Sequence, residues 1–507
     1  MPKQALGNPP PDLCRLAKNL LSPGTNFNTD DTPYQDTFGE GAMKRQRNEK
    51  LVQACLRLGV LATALSVIAT STNAQAPAIQ NAIPTSPSTA SQPQTMPQVI
   101  PAAGQPGAPL GKIQDTDEEK RIYAARFALL ATAGTGGDAT ALYDMREAVP
   151  GAIRPLVVAT PRQRTISAQA LEAARVYAGA NNSSSLLVWR AGKLELEAYF
   201  GAQTASAEAV SRSLAKPMTS AAIGRAIALG KIRSLDQPVA DFIPEWRADP
   251  RRSRILVRHL LDMRTGFLRQ NIAMTPEDIL NRAYLHPRHT EVIISEYPVP
   301  DEPGSVYEYN NATSELVAHV IERATGRRYA EFISTEILKP IGAAGGDIWV
   351  NRQGGTAHSG CCLMVPASTW LRLGELFLND GKVGRRQLLP TGYVTEMRTG
   401  TAQNPHYGLG VYVAGPYVQR RGAFNPLTVR NIRGTLHSQP YLADDLFVFD
   451  GNANQIVYIV PSQQLIIVRT GAPPPRGQGV AEWDNSFLPN TIINGIVRRR
   501  GTSVVQK

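Results

Sequence analysis

Ser213 and Lys216 are the residues of this sequence whose types and spacing are best suited to chemistry. They lie three positions apart in the only S-x-x-K tetrapeptide of the chain. Residues three apart are neighbours on a helix surface, so an unprotonated Lys216 amine can take the proton of the Ser213 hydroxyl. The pair therefore supplies a nucleophile and a base for acyl transfer. Taken alone, the tetrapeptide also fits an exposed helix start with a solvated lysine.

The residues after this pair predict the helix that positions it. Residues 217–229 are largely apolar, and Gly230 is a typical residue to follow a helix end. Pro217 lacks an N–H group and is tolerated only in a first turn, so the helix should begin at about Ser213. That start would place the Ser213 hydroxyl at the positive end of the helix dipole, where a nucleophile that generates an oxyanion benefits.

A second segment supplies further candidate site residues. Residues 303–311 read PGSVYEYNN, and residues 314–326 read SELVAHVIERATG. This stretch resembles the P-G-x-x-(F/Y)-x-Y-S-N and L-x-x-x-I-E-x-x-T-G motifs of the serine β-lactamase-like hydrolases. That group holds class C β-lactamases, DD-peptidases, esterases and 6-aminohexanoate-dimer hydrolases. The resemblance implies that Tyr309 relays a proton between nucleophile and leaving group, and that Asn311 orients the lysine and the substrate.

The resemblance extends over residues 165 to 475, approximately. Residues 260–267 look like the family's L-L-x-H-T-S-G-L stretch with Met263 in place of the usual histidine, and residues 359–374 are similar to its G-G-x-x-x-T-A-x-D-L-A-R-F-G stretch. The implied fold class is α+β, with an antiparallel sheet flanked by helices and an inserted, mainly helical lobe. The site should lie in the cleft between them.

Strand patterns at both ends of this region agree with that fold. Residues 185–190 and 193–200 predict a hairpin around Ala191 and Gly192, and residues 455–460 and 464–469 predict a second strand pair. The resemblance implies that both pairs join one antiparallel sheet.

The third motif of the family departs from the usual pattern. Class C β-lactamases carry Lys-Thr-Gly beside the nucleophile, and the equivalent here is predicted to be Phe449, Asp450 and Gly451. No cation is present to hold an antibiotic carboxylate, which disfavours the β-lactamase and DD-peptidase interpretations. Gly451 still permits close backbone approach, and the Asn452 N–H is predicted to form the oxyanion hole together with the Ser213 N–H. Substitute cations would be Arg264 or Arg469.

The remaining sequence predicts how the chain is organised. Basic residues 44–47, an apolar stretch over 56–70 and the small-x-small site at 74–76 are typical of a secretory signal peptide. Residues 77–112 are rich in Ala, Pro, Gln and Ser and predict a disordered linker. The predicted parts are a possible over-extended start (1–42), the signal peptide (43–76), the linker (77–112), an N-terminal helical extension (113–160) and the hydrolase domain (161–500).

Net charge raises the alternative of a nucleic-acid partner. The formal net charge is +11, with short basic runs at 251–254 and 498–500. These runs lack interleaved aromatic residues, so we interpret them as solvated surface charge and expect no nucleic-acid partner.

Cysteine and histidine positions give no further site by sequence. Neighbouring cysteines seldom bridge, so Cys361 and Cys362 are predicted to be small buried residues without a disulfide. His286 and His289 lie beside a proline and are predicted to be in a surface loop, with no third ligand nearby for a metal. No G-x-S-x-G, H-E-x-x-H, Walker A or G-x-G-x-x-G motif occurs, and no metal or cofactor is expected.

Together these features predict a periplasmic or secreted serine hydrolase, with no stable membrane insertion after signal cleavage. It would act on a small ester or a linear amide through an acyl-enzyme. The alternatives are a β-lactamase or DD-peptidase, or a non-catalytic penicillin-binding-like envelope protein.

Overall fold

The computed structural model of the chain describes residues 100–134, 140–270, 275–423, 425–426, 434–477 and 479–497. The predicted start region, the signal peptide and the first part of the linker lie outside these residues. The described helices are α1 Asp117–Gly134, α2 Ala168–Ala180, α3 Lys216–Ala228, α4 Val257–Leu261, α5 Ile279–Leu285, α6 His289–Ser295, α7 Asn311–Thr325, α8 Tyr329–Ile333, α9 Lys339–Ile341, α10 Ala367–Leu378, α11 Tyr393–Met397 and α12 Phe487–Asn494.

The described strands are β1 Arg146–Val149, β2 Ser183–Arg190, β3 Lys193–Tyr199, β4 Glu208–Val210, β5 Gly346–Trp349, β6 Leu363–Pro366, β7 Lys382–Val383, β8 Arg386–Gln387, β9 Tyr412–Val413, β10 Arg420–Arg421, β11 Thr435–Leu436, β12 Phe447–Gly451, β13 Gln455–Val460 and β14 Leu465–Gly471.

Six antiparallel strands form the main sheet, in the order β3-β2-β14-β13-β12-β9. The predicted hairpin forms β2 and β3, and its turn residues Ala191 and Gly192 both have positive φ, as a two-residue turn between twisted strands requires. The predicted late pair forms β13 and β14. Because β14 pairs with β2, the two ends of the domain meet in one sheet, and this expectation is confirmed.

Each face of this sheet is covered by helices. Alternate residues of β13, such as Val457 and Ile459, face the core that contains α3 and α10. Their neighbours Ile456 and Tyr458 face α2 and α12, the terminal helices. A strand buried on both faces reads as a continuous apolar run, which explains the sequence of β13.

The mainly helical lobe is inserted between β4 and β5. Helices α3 and α7 pack against each other at its centre, and the end of β12 lies against the turn that precedes α3. In the predicted helical extension, the described residues form α1 and a turn of 3-10 helix, Thr140–Leu142. Its later part contains β1, which pairs with β5 in a second sheet of order β1-β5-β6-β4. A strand of four residues has too short a pattern to reveal a partner so far along the chain.

The end of the predicted linker, residues 100–112, contacts the helical lobe. The Gly107 N–H donates to Asp249 Oδ2 at 3.0 Å, and the Arg252 guanidinium donates to the Ala108 carbonyl at 2.7 Å. Arg252 is fully buried and paired with Asp249, so this part of the basic run is not solvated. Carboxylate and carbonyl partners make the buried guanidinium tolerable. Among the described residues, we find no helix with the length and apolar character needed to cross a membrane.

Candidate active site

Ser213 lies in a turn of 3-10 helix, Arg212–Ala215, and not in the α-helix itself. Helix α3 begins at Lys216, with Pro217 in its first turn, so the predicted helix start is wrong by one turn. The preceding residue, Arg212, has a φ of +53°, which is rare for a residue other than glycine. Such conformations persist where the surrounding structure enforces them, and they often accompany functional sites.

The Lys216 side chain is buried and its amine contacts three oxygen atoms. The Nζ atom lies 3.0 Å from Ser213 Oγ, 3.0 Å from Asn311 Oδ1 and 3.0 Å from the Gly360 carbonyl oxygen. An unprotonated amine has two hydrogens and one lone pair. Asn311 Oδ1 and the Gly360 carbonyl can only accept hydrogen bonds, so they take both hydrogens and leave the lone pair for the Ser213 hydroxyl. The geometry therefore suits a base acting on Ser213.

Asn311 is placed by the start of α7. The preceding residue, Asn310, caps the helix by accepting from the Ala312 N–H, and its Nδ2 group donates to the Leu268 carbonyl. The Asn311 N–H donates to Gln270 Oε1 at 2.7 Å. These bonds fix the first turn of α7 and direct the Asn311 amide oxygen at Lys216.

Tyr309 also lies beside Lys216. Its ring centroid is 5.0 Å from Nζ, within the range of a cation–π contact when the amine is protonated. The rings of Tyr407 and Tyr412 flank it, at centroid distances of 6.1 Å and 6.4 Å. Its hydroxyl forms no hydrogen bond with Ser213 or Lys216 in this arrangement. The ring is in position, and the predicted proton relay remains a prediction.

Gly451 ends β12 directly against the nucleophile turn. A Cβ atom on this residue would lie 2.7 Å from the Ser211 carbonyl oxygen and 2.9 Å from the Leu214 nitrogen. Only glycine allows so close an approach to backbone atoms. Asn452 follows in a turn that the Arg469 guanidinium holds through the Ala453 and Asn454 carbonyls.

The other two residues of this motif are consecutive in β12 and therefore point to opposite faces of the sheet. Phe449 is fully buried in the core, with its ring 5.5 Å from that of Phe377. Burial raises the pKa of Asp450 to about 7. Neither predicted substitute cation is free, since Arg264 is paired with Asp262 and the Arg469 guanidinium is occupied by carbonyl and hydroxyl oxygens.

The segment at residues 358–363 contributes contacts that sequence reasoning missed. Gly360 supplies a carbonyl to Lys216, and Leu363 exchanges hydrogen bonds with Ser211, two residues before the nucleophile. A backbone carbonyl leaves no residue-type signal. The similarity of residues 359–374 to the family's G-G segment drew attention to this region, but it predicted no role for Gly360.

Cys361 and Cys362 form a disulfide, which corrects the expectation that they are unbonded. The Tyr284 hydroxyl lies 3.3 Å from Cys361 Sγ and 3.5 Å from Cys362 Sγ. Cys362, one of the two bonded residues, has a φ of +71°. The prediction rested on the general rarity of disulfides between neighbouring cysteines, and the backbone at this position permits one.

A buried cluster of His289, Glu315 and His358 lies close to the Lys216 side of the site. Glu315 is one turn after Asn311 on α7, and the N–H groups of Ser359 and Gly360 face its carboxylate without reaching ideal hydrogen-bond geometry. Burial raises the pKa of Glu315 to about 7, although the charges of His289 and Lys216 oppose the rise.

His289 and its neighbour His286 were predicted in a surface loop, and both are buried. His289 begins α6, and burial lowers the pKa of His289 and of His358 well below the usual value. Ligand atoms of His289, Glu315 and His358 lie within 4.8 Å of one another, as three ligands of one ion would. The two imidazole planes are stacked, 4.1 Å between centroids and 16° apart. A bound ion lies in the plane of each ring, so these rings cannot share one without turning, and we assign no metal here.

Comparison with known proteins places this site in a family. The Beta-lactamase family model matches residues 168–482. The solved structure "Putative 6-aminohexanoate-dimer hydrolase from Bacillus anthracis" has a TM-score of 0.53 and 20% sequence identity, and the match covers 69% of this chain and 90% of that chain. At this identity the likeness shows the fold alone.

One curated relative matches over a shorter range. "Putative penicillin-binding protein PbpX" of Bacillus subtilis (strain 168) is 26% identical over 116 residues, which are 22% of this chain and 26% of that protein. The match thus spans about a quarter of that relative's length. The family match covers more than half of the chain, from α2 to the segment after β14. The chain therefore belongs to the β-lactamase family, whose members are generally serine hydrolases, and it has the β-lactamase/transpeptidase-like α+β fold.

Proposed function

We propose that the chain is an exported serine hydrolase that cleaves small esters or linear amides through an acyl-enzyme on Ser213. One observation carries the proposal. The buried Lys216 amine lies 3.0 Å from Ser213 Oγ while two fixed carbonyl oxygens, of Asn311 and Gly360, take up its hydrogens. A lysine arranged in this way is a base for one hydroxyl.

The reaction begins with transfer of the Ser213 proton to the Lys216 amine as Oγ attacks the substrate carbonyl carbon. The tetrahedral intermediate collapses when the C–O or C–N bond to the leaving group breaks. The leaving group takes up the proton, with Tyr309 as its shuttle from Lys216. A water molecule then attacks the acyl-enzyme, Lys216 accepts its proton, and Ser213 leaves as a hydroxyl together with the free acid.

The oxyanion would form between the N–H groups of Ser213 and Asn452. The close approach of Gly451 to the Ser211 carbonyl and the Leu214 nitrogen supports this placement, because it brings the end of β12 against the nucleophile turn. Two preorganised N–H donors stabilise the charge that develops in the transition state. The proposed chemistry requires no metal or cofactor.

The end of β12 favours uncharged or cationic substrates. Phe449 is turned into the core, Asp450 supplies no positive charge, and Arg264 and Arg469 are engaged elsewhere. A β-lactam carboxylate would find no free cation among these residues. A small ester or a linear amide, the class to which a 6-aminohexanoate dimer belongs, needs none, so we place it ahead of a β-lactam.

Export follows from the N-terminal sequence pattern. The signal at residues 74–76 predicts a mature protein that starts between Gln75 and Ala78, in the periplasm or outside the cell. Mass spectrometry of the N-terminus of the exported protein checks this expectation. An intact Met1 or Met43 terminus in the envelope fraction would contradict it.

The function is tested with a fluorophosphonate probe on the purified protein. We expect one adduct, on the Ser213 peptide, and loss of p-nitrophenyl butyrate hydrolysis in proportion to labelling. Ser206→Ala is the matched control, because Ser206 is exposed a few residues upstream. Hydrolysis without a Ser213 adduct would overturn the nucleophile assignment. Neither hydrolysis nor labelling would favour a non-catalytic binding protein.

A further inference from the structure

The Cys361–Cys362 disulfide lies between two contacts that hold the candidate site together. On one side, the Gly360 carbonyl accepts a hydrogen bond from Lys216 at 3.0 Å. On the other, the Leu363 N–H donates to Ser211 Oγ at 3.0 Å, and the Leu363 carbonyl accepts from the Ser211 N–H at 2.9 Å. The two cysteines are the only residues between these contacts. Their conformation therefore sets the spacing between the acceptor of the base and the partner of the nucleophile turn.

The rest of the segment is already fixed on both flanks. Ser359 Oγ donates to the Ser314 carbonyl and accepts from the Ala318 N–H, which ties the segment to α7. The Cys362 carbonyl accepts from the Trp349 N–H on β5. Between these anchors Cys362 has a φ of +71°, which residues with a side chain adopt rarely. The disulfide closes a small ring through the backbone of this residue and so restricts its conformation.

General stabilisation of the fold is a poor explanation for this bond. In the chain-entropy account, a disulfide stabilises in proportion to the logarithm of the loop it closes, and a loop between adjacent residues is the smallest possible. Both cysteines are nearly buried, so the pair does not tether two separate surfaces. Its effect is confined to the local backbone, which here carries the Gly360 carbonyl.

We propose that the Cys361–Cys362 disulfide is a positioning element of the active site, which holds the Gly360 carbonyl at Lys216 and makes turnover depend on the oxidised pair. The proposal rests on the proposed function of Ser213 and Lys216. An exported protein meets an oxidising compartment, where such a bond forms and persists.

Reduction by a dithiol supplies the test of this dependence. One reductant thiolate attacks a cysteine sulfur, the S–S bond breaks, and a mixed disulfide forms. The second reductant thiol displaces it and closes its own disulfide, so two electrons and two protons pass to the protein and two thiols remain. Without the ring, the peptide between Cys361 and Cys362 is free to leave positive φ, and the Gly360 carbonyl moves with it.

The experiment compares kcat and KM for p-nitrophenyl butyrate in oxidised and dithiothreitol-reduced protein, and in the variant Cys361→Ala/Cys362→Ala. Intact mass after iodoacetamide treatment counts the free thiols. We expect kcat to fall about tenfold to a hundredfold on reduction, since small misplacements of catalytic groups cost this much, while KM stays within about twofold. Reoxidation should restore kcat. The alanine variant should have the kcat of the reduced protein, and dithiothreitol should not change it.

Two results would overturn the proposal. One is an unchanged kcat in protein shown to carry two free thiols, and the other is full activity in the folded double variant. Hydrogen exchange of the peptide spanning residues 358–364 gives a readout that does not need turnover. Protection should drop on reduction, and unchanged protection would also reject the positioning role. Absence of fluorophosphonate labelling in the oxidised protein would instead show that the proposed function has failed.

Discussion

Lys216 is held from two regions that are built differently. On the helical side, Ser213 comes from the 3-10 turn before α3 and Asn311 from the start of α7, and their side chains make the contacts. On the strand side, the Gly360 contact is made by a backbone carbonyl in an irregular segment before β6. All three contacts measure 3.0 Å. Equal geometry is thus reached by residue type in one region and by backbone conformation in the other.

The difference concerns what each region tolerates. The start of α7 is fixed by local capping through Asn310, with further bonds to Leu268 and Gln270. The segment at 358–363 depends on contacts to α7, β5 and the nucleophile turn. On the helical side, we therefore expect activity to depend on the functional groups of the side chains. On the strand side, we expect it to depend on whether added side-chain atoms displace the backbone.

Removal of the helical side chains should have the largest effect. Ser213→Ala and Lys216→Ala should each lower kcat/KM for p-nitrophenyl butyrate by about 10⁴-fold or more, because nucleophile and base act as one unit and their losses do not add. Circular dichroism should show an intact fold. A Lys216→Ala variant with wild-type kcat would remove the base assignment and with it the basis of the comparison.

Substitution of the closely packed glycines on the strand side should have the second largest effect on kcat. Gly360→Ala places a Cβ 2.7 Å from Ser314 Cβ and 3.0 Å from Glu315 Oε1, and Gly451→Ala places one 2.7 Å from the Ser211 carbonyl oxygen. We expect kcat to fall about a hundredfold in each. The control Gly179→Ala, exposed on α2, would meet only the Phe200 ring and should keep full activity.

Steady-state kinetics with p-nitrophenyl butyrate provides the measurement for these glycine variants. Wild-type kcat in folded Gly360→Ala would show that the strand side tolerates displacement after all. The same result in folded Gly451→Ala would remove the support for an oxyanion hole at the end of β12.

Glu315 lies on α7 and faces the segment at 358–363, so it joins the two regions. Its titration should lower stability by up to about 3 kcal/mol at high pH. Its pKa is raised above the unfolded value of 4.5 to about 7, so the stabilising, protonated form is fully present below pH 4.5 and is lost as the pH rises to about 7. Glu315→Gln removes this loss. The free energy of unfolding of the variant, compared with that of the wild type, should therefore be more favourable at pH 8 than at pH 5.

Thermal unfolding of both proteins at the two pH values checks the sign of this effect. A difference in Tm that is the same at pH 5 and pH 8 would contradict the buried, titrating carboxylate.

Substrate preference should show the smallest effect. The ratio of kcat/KM for a short p-nitrophenyl ester to that for nitrocefin should be tenfold or more, because a missing charge-assisted hydrogen bond costs about 1.5–3 kcal/mol. A tenfold preference for nitrocefin would contradict this expectation. It would mean that a cation other than Arg264 or Arg469 binds the carboxylate, and that the strand side selects substrates differently from our proposal.

Much of the helical side could be predicted from the sequence. The S-x-x-K spacing places Ser213 near Lys216 on any helical turn. The Y-x-N match singled out Tyr309 and Asn311, and both lie beside the Lys216 amine. The predicted helix start differed by one turn because Ser213 lies in 3-10 geometry, which a proline in the next turn permits equally well.

The strand side could be predicted only in part. The approach of Gly451 to the nucleophile turn was anticipated from the motif, whereas the orientation of Phe449 into the core required the register of β12 against β13. The Cys361–Cys362 bond was wrongly predicted from the general rarity of such bonds. His289 was wrongly predicted at the surface, because the neighbouring proline suggests a loop while burial depends on what packs over it.

From the sequence, the S-x-x-K spacing predicted a candidate nucleophile and base at Ser213 and Lys216, and periodicity predicted the two strand pairs of an α+β fold. The resemblance to the family added Tyr309, Asn311 and the joining of both strand pairs in one sheet. The tertiary contacts were needed to show which carbonyl completes the Lys216 site, that Arg264 and Arg469 are occupied, and that Glu315 is buried beside His289 and His358. Backbone carbonyls look alike in every residue, and burial is a property of distant neighbours. Neither leaves a local pattern to read.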